Sequence, residues 1–275
     1  MKILNGTKIG QMRADVTTAA IAELGIVPSL VIVRVGDRPD SKSYVKAKVL
    51  YAERVGAKAH VVELGSDITQ ESLLQTVSEY NDDTSVHGII LQLPLPDHIS
   101  AQAVINAILP AKDVDGLTDT NISRLFSQQE GIVPATPRGI LTLLQESDVE
   151  IEGKRVVVLG RSRLVGKSVS LLMLNNNATV TMCHSRTQNL SEITKTADIL
   201  IVAIGKQKFI TKEHLRDGQV VVDVGIGADD AGKLVGDVDF DSVKDMDITI
   251  SPVPGGVGPM TVASLFENLL RVATK

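Results

Sequence analysis

Apolar positions along the chain alternate between two spacings. Ile9, Met12, Val16 and Ala20 fall three or four apart, which predicts a helix over Lys8 to Leu24. Ser29 to Val35 is a nearly unbroken β-rich run and predicts a strand. The rhythm continues with a helix over Ser43 to Val55 and a strand over Ala57 to Leu64. Next come a helix capped at Asp67 or Thr69 and reaching Tyr80, a strand over Val86 to Leu93, and a helix through Ile108. A β-α-β-α-β series of this kind implies a parallel sheet covered on both faces. Leu109 to Arg138 breaks the rhythm with Pro110, Gly116, Gly131, Pro134 and Pro137, and a domain crossing is expected there. A second series follows, with strands near 155–160, 178–183, 199–204, 219–224 and 248–250. The Pro/Gly-rich link Pro252 to Pro259 then leads to a last helix over about Thr261 to Ala273. The fold class is α/β: two α/β domains with a cleft between them, the usual place for a ligand.

Composition narrows the picture. The chain has 275 residues, enough for two modest domains. It has no Trp and 3% aromatic residues, so the core must be built from Val, Ile, Leu and Ala. A net charge of −5 argues against nonspecific binding to nucleic acid or a membrane. The single cysteine, Cys183, permits no internal disulfide and points to a reducing compartment. No run suits a signal peptide or a transmembrane span, so the cytoplasm is expected.

Residues 155–186 carry the strongest local signal. An apolar strand, Arg155 to Leu159, enters the turn Gly160-Arg161-Ser162-Arg163-Leu164-Val165-Gly166, and a short apolar helix follows. This is the layout of a dinucleotide pyrophosphate site, where backbone N–H groups and a helix N-terminus meet phosphate. The next strand ends in Cys183-His184-Ser185-Arg186, where an NAD site usually carries an acid for the ribose hydroxyl. With no carboxylate there, Arg161, Ser185 and Arg186 suit the 2′-phosphate of NADP. The same residues also read as an ordinary strand–turn–helix with Gly where φ is positive. Gly166-Lys167-Ser168 with Val220 to Asp223 imitates a P-loop and its magnesium strand, but a true P-loop would need a glycine at Arg161.

Other constellations are open taken singly. Tyr44 and Lys48 share a helix face, as in short-chain reductases, but a solvated charged helix gives the same spacing. Gln92-Leu93-Pro94 ends the third strand, where ligands gather in open α/β sheets. Gln92 offers a neutral donor and acceptor there, and the proline also stops the strand. Lys112-Asp113-Val114-Asp115-Gly116 lacks the spacing of a calcium loop. An Asp in a cleft accepts paired hydrogen bonds from a heterocycle edge; Asp113 reads equally as a turn-bracing residue. The five histidines show no metal-ligand spacing.

The order of these motifs is more specific than any one of them. Tyr44-x-x-x-Lys48, Gln92-Leu93-Pro94, Asp113-Val114-Asp115-Gly116, Thr136-Pro137-x-Gly139, Gly160-Arg161-Ser162-x-x-Val165-Gly166, Cys183-His184-Ser185 and Pro252 to Thr261 follow one another along the chain. Over essentially its whole length the sequence resembles the bifunctional methylenetetrahydrofolate dehydrogenase/methenyltetrahydrofolate cyclohydrolase family. The resemblance implies NADP-dependent oxidation of 5,10-methylenetetrahydrofolate, hydrolysis of the 5,10-methenyl product to 10-formyltetrahydrofolate, and a homodimer. It implies a folate-binding catalytic domain over 1–120, completed by 256–275, and a Rossmann-like NADP domain over 121–255. It makes Lys48 the acid/base, with Tyr44 and Gln92 beside it and Asp115 on the pterin. Leu93, Pro94, Gly255, Gly256 and Pro259 would line the folate, and Gly160, Arg161, Ser162, Ser185 and Ile226 would bind NADP.

Overall fold

The computed structural model describes residues 1–229 and 232–274. The chain divides into two compact units, Gln11–Ala135 with Val262–Lys275, and Met1–Gly10 with Thr136–Thr261. In chain order the elements begin β1 (Lys2–Ile3), α1 (Gly6–Glu23), β2 (Ser29–Val35), α2 (Pro39–Val55), β3 (Lys58–Leu64), α3 (Gln70–Asp82), β4 (Gly88–Gln92) and α4 (Ala101–Ala107). Then come α5 (Asp119–Phe126), α6 (Ala135–Gln145), β5 (Arg155–Leu159), a π-helical turn over Arg163–Lys167, α7 (Ser168–Asn175), β6 (Thr179–Cys183), α8 (Leu190–Lys195) and β7 (Ile199–Val202). The chain continues through β8 (Val220–Asp223), β9 (Gly227–Ala228), β10 (Leu234–Val235), α9 (Phe240–Val243), β11 (Thr249–Ile250) and α10 (Val257–Ala273).

The first unit is built on a parallel sheet of order β3-β2-β4. Both faces of β2 are covered. Leu30 and Ile32 pack with Val45, Ala52 and Val55 of α2 and Leu265, Phe266 and Leu269 of α10. Val31, Val33 and Val35 pack with Leu73 and Val77 of α3 and Val104 and Ile105 of α4. This two-sided burial is why β2 reads as a continuous apolar run. Thr69 is the cap of α3, its hydroxyl accepting the Ser72 N–H at 3.1 Å. Helix α2 starts at Pro39, earlier than the apolar stripe indicates, because a proline in the first turn has no intrahelical N–H bond to lose.

The second unit carries a six-stranded parallel sheet of order β1-β11-β8-β7-β5-β6. Strand order reverses between β5 and β7, the Rossmann-like switch point at which ligands meet strand ends. The N-terminal strand adds to this sheet, with Lys2 opposite Thr249 and Ile3 opposite Ile250. Residues 1–10 therefore lie with the second unit, 121–135 with the first, and 256–261 with the second. Those bounds differ from the 1–120 and 121–255 expected from sequence, since a two-residue strand has no periodicity to read. Helix α10 also begins at Val257, so part of the expected Pro/Gly link is helical, with Pro259 in its first turn. No described helix is long and apolar enough to cross a membrane.

Candidate active site

In the first unit, helix α2 and the carboxyl end of β4 bring Lys48 and Gln92 together. Lys48 Nζ donates to Gln92 Oε1 at 2.8 Å, and Gln92 Nε2 donates to the Leu93 carbonyl at 3.0 Å. The amide is thereby oriented, and it presents its oxygen to the ammonium without adding charge. Lys48 is half-buried and Gln92 buried. Burial pushes the Lys48 ammonium below its ordinary range, and the Asp115 carboxylate pulls it partly back. Burial likewise pushes Asp115 up to about 6, with Lys48 lowering it and Asp113 raising it. An acid raised and an amine lowered have pKa values drawn toward each other, which eases proton transfer. Tyr44 lies one helical turn before Lys48 and is partly exposed, as are Leu93 and Pro94, which are joined by a cis peptide bond.

The two neighbouring aspartates have different duties. Asp113 is buried; its Oδ1 accepts the Leu117 N–H at 3.2 Å, and its Oδ2 accepts the Thr118 N–H at 2.8 Å and the Asn121 amide at 2.9 Å. It is the turn-bracing residue. The Asp115 carboxylate accepts no hydrogen bond from a described residue. The loop that presents it is nonetheless fixed. Lys112 Nζ donates to the carbonyls of Tyr80, Asn81 and Asp83 at the end of α3. The buried Asn268 amide donates to Val114 and Val133 carbonyls, both at 2.9 Å, and the Ala135 N–H donates to the Asp115 carbonyl. A rigid loop carrying a carboxylate with unfilled lone pairs suits paired N–H donors of a ligand.

In the second unit, Gly160 follows β5 with φ +125°. A Cβ at Gly160 would collide with the Ala203 carbonyl, and one at Gly166 with the Gly160 carbonyl. Both glycines are required by close backbone approach, whatever binds beside them. Ser162 Oγ accepts the Val165 and Gly166 N–H groups at 3.3 and 3.4 Å and so caps the π-helical turn. Arg161, Ser162, Ser185 and Arg186 are exposed, and Ile226 is 45% exposed. No carboxylate follows β6; Thr187 Oγ1 there accepts the His184 N–H at 2.9 Å. The P-loop resemblance fails at Ser168, which is buried and donates its hydroxyl to the Arg163 carbonyl at 2.6 Å. The turn, its exposed hydroxyls and its cations fit a dinucleotide carrying a 2′-phosphate.

The expected residues thus fall into two groups. Lys48, Gln92 and Asp115 interact within the first unit. Gly160, Arg161, Ser162, Ser185 and Ile226 belong to the second, as do Gly255, Gly256 and Pro259. Gly255 accepts the Thr7 N–H through its carbonyl at 2.9 Å, and Pro259 packs on Gly10. Sequence reasoning passed over Arg34, a buried cation in register with Glu63 on one side and Gln92 on the other. It forms ion pairs with Glu63 and Asp37, and its only signal is one charge inside an otherwise β-branched and apolar run. Asp223, read in the sequence only as the end of a P-loop-like magnesium strand, and Asp237, passed over altogether, are two buried acids near the carboxyl end of β8.

A lysine–amide–carboxylate set at one sheet edge and a glycine turn at the other sheet's switch point define a two-domain dinucleotide-dependent α/β enzyme. The model of the tetrahydrofolate dehydrogenase/cyclohydrolase catalytic domain matches residues 4–115, and that of the family's NAD(P)-binding domain matches 134–275. The chain belongs to this family. It is 47% identical over 274 residues to the bifunctional protein FolD of Oceanobacillus iheyensis, covering 98% of this chain and 96% of that one. The crystal structure of the bifunctional FolD enzyme from Campylobacter jejuni is 41% identical and superposes with a TM-score of 0.96 over 99% of this chain and 98% of that one. The Trypanosoma brucei methylenetetrahydrofolate dehydrogenase-cyclohydrolase, solved with NADP and an inhibitor, is 38% identical with a TM-score of 0.93, covering 98% and 96%.

Proposed function

We propose that this chain oxidises 5,10-methylenetetrahydrofolate with NADP and hydrolyses the methenyl product to 10-formyltetrahydrofolate, with Lys48 as the acid/base of the hydrolysis. The observation that carries the residue assignment is the half-buried Lys48 ammonium held on a neutral amide, with Asp115 in its field. Asp115 accepts the adjacent N–H donors of the pterin's amino-oxo edge. NADP, when bound, takes the hydride from the methylene carbon and leaves the methenyl cation on the folate. Lys48 in its neutral form then takes a proton from the attacking water and delivers one to the departing ring nitrogen. The cation itself favours neutral Lys48, in addition to the burial that lowers its pKa.

The Gly160 turn holds the diphosphate of NADP, and Arg161 with Ser185 and Arg186 receives its 2′-phosphate. Each charge-assisted bond is worth roughly 1.5–3 kcal/mol where it is desolvated. An absorbance assay with methylenetetrahydrofolate and either NADP or NAD tests this reading. Reduction of NADP at the higher kcat/KM is expected; equal or better use of NAD would sink the phosphate assignment.

The functional form is a cytoplasmic homodimer without a nucleic-acid partner. Strand β6 supports self-association: it ends the six-stranded sheet, and its Thr179, Thr181 and Met182 are exposed. An exposed sheet edge pairs readily with a second copy. Light scattering should return twice the 29.4 kDa chain mass; a monomer at micromolar concentration would refute the dimer.

A further inference from the structure

Two facing aspartates in the second unit take no part in the chemistry above, yet they organise the loop beside the dinucleotide turn and the loop after β8. Asp237 Oδ2 accepts the Ile204 N–H at 2.8 Å and the Gly205 N–H at 2.9 Å, and the Lys206 amide adds a third donor. Successive N–H groups converging on one anion form a nest, an arrangement that elsewhere holds phosphate. Here the chain fills the nest with its own carboxylate. Asp223 Oδ1 accepts the Gly225 and Asp237 N–H groups, each at 3.0 Å, and its Oδ2 accepts the Val238 N–H at 2.9 Å. The Asp223 N–H in turn donates to Ser251 Oγ at 2.8 Å. There is no slack around either acid. A Cβ on Gly225 would collide with the Asp237 carboxyl group, and one on Gly236 with that of Asp223.

Both loops held in this way lead to residues assigned to NADP. Ala203 immediately precedes the nest; its N–H donates to the Leu159 carbonyl at 2.8 Å, and its carbonyl is the group that excludes a side chain from Gly160. Ile226 immediately follows Gly225. We propose that Asp237 is a positioning residue for dinucleotide binding. Its carboxylate, seated in the 204–206 nest, sets the loop after β7 against the Gly160 turn and, through contact with Gly225, the loop that carries Ile226. Burial pushes both acids up, Asp223 to about 7, and their backbone donors offset only part of that rise. The proposal rests on the assignment of the Gly160 turn to NADP.

Calorimetric titration of the full chain with NADP, alongside both half-reactions, tests it in Asp237→Ala and Asp237→Asn. In Asp237→Ala the Kd and KM for NADP should rise about ten-fold or more, the equivalent of one charge-assisted bond. Hydrolysis of added methenyltetrahydrofolate without dinucleotide should stay within about two-fold of wild type, because Lys48, Gln92 and Asp115 belong to the other unit. Asp237→Asn keeps an oxygen for the nest and should recover part of the NADP affinity. NADP binding unchanged in both variants would overturn the proposal. So would a parallel fall of both half-reactions and of Tm in both, which would make Asp237 a support of the fold alone. A wild-type protein that binds no NADP would refute the assignment of the turn itself, a result distinct from failure of the variants.

Discussion

The two candidate sites are made of different material. In the first unit the site consists of side chains from three separate elements, brought into a partly buried setting that shifts Lys48 down and Asp115 up. In the second it consists mainly of backbone, with a left-handed Gly160 and the exposed Arg161, Ser162 and Ser185. Proton chemistry needs desolvated groups with displaced pKa values. Holding a diphosphate needs N–H groups and room for close approach. On the proposed roles, the acid/base of the hydrolysis belongs to one unit and cofactor selection to the other, and each proposal can be broken separately.

The largest effect is expected at Lys48. Lys48→Met keeps bulk and removes the proton carrier, so cyclohydrolase activity should fall by about 10²–10⁴-fold, the usual worth of a positioned acid/base. Some dehydrogenase activity should persist, and methenyltetrahydrofolate should accumulate during turnover. Retained hydrolysis in a folded variant would remove Lys48 from the mechanism. Asp115→Ala comes next. Loss of a charged acceptor costs roughly 1.5–3 kcal/mol, so folate affinity should drop about 10- to 100-fold for both activities while NADP titrates normally. Wild-type folate affinity would return Asp115 to the status of a loop residue.

A pH profile sharpens the same point. In the proposed anchor role Asp115 must be ionised to accept both pterin donors, so kcat/KM for the folate should decline as pH falls through about 6. The effect on stability has the opposite sign. A carboxyl raised from 3.8 to about 6 binds its proton more tightly when folded, so its contribution to stability diminishes as pH rises through that window. A folate kcat/KM that stays flat from pH 7.5 to below 5 would contradict a buried carboxylate anchor. The smallest of these changes is expected at Arg161, which is exposed. Arg161→Ala should lower the preference for NADP over NAD only several-fold, since solvent screens such contacts.

The same contrast explains what was legible in the sequence. Strands β2 and β5 stood out because both their faces are covered, which leaves long Val/Ile runs. Thr69 was readable as a cap because it is a short polar residue just before a helical stripe. The Gly160 turn was readable because backbone geometry imposes glycine directly. Strand β1 was not, since two residues carry no period, and the unit boundaries moved with it. The proximity of Asp115 to Lys48 was also hidden. They are 67 positions apart, and their coupling depends on how the loop after α4 returns to β4, pinned there by the bridge between Ile89 and Asp113. Arg34, Asp223 and Asp237 share that difficulty. Each is one polar residue in an apolar or loop context, and its partners are fixed only by tertiary packing.

Division of labour between the units is the central claim, and one assay reaches it directly. Gly160→Ala places a Cβ against the Ala203 carbonyl at a φ of +125°, a conformation that costs a non-glycine residue about 1–3 kcal/mol. The variant should therefore reduce NADP poorly. The decisive measurement is its rate of methenyltetrahydrofolate hydrolysis with no dinucleotide present. The expected result is a rate indistinguishable from wild type; a loss matching that of the dehydrogenase, in a variant still folded at the assay temperature, would contradict the separation of the two sites.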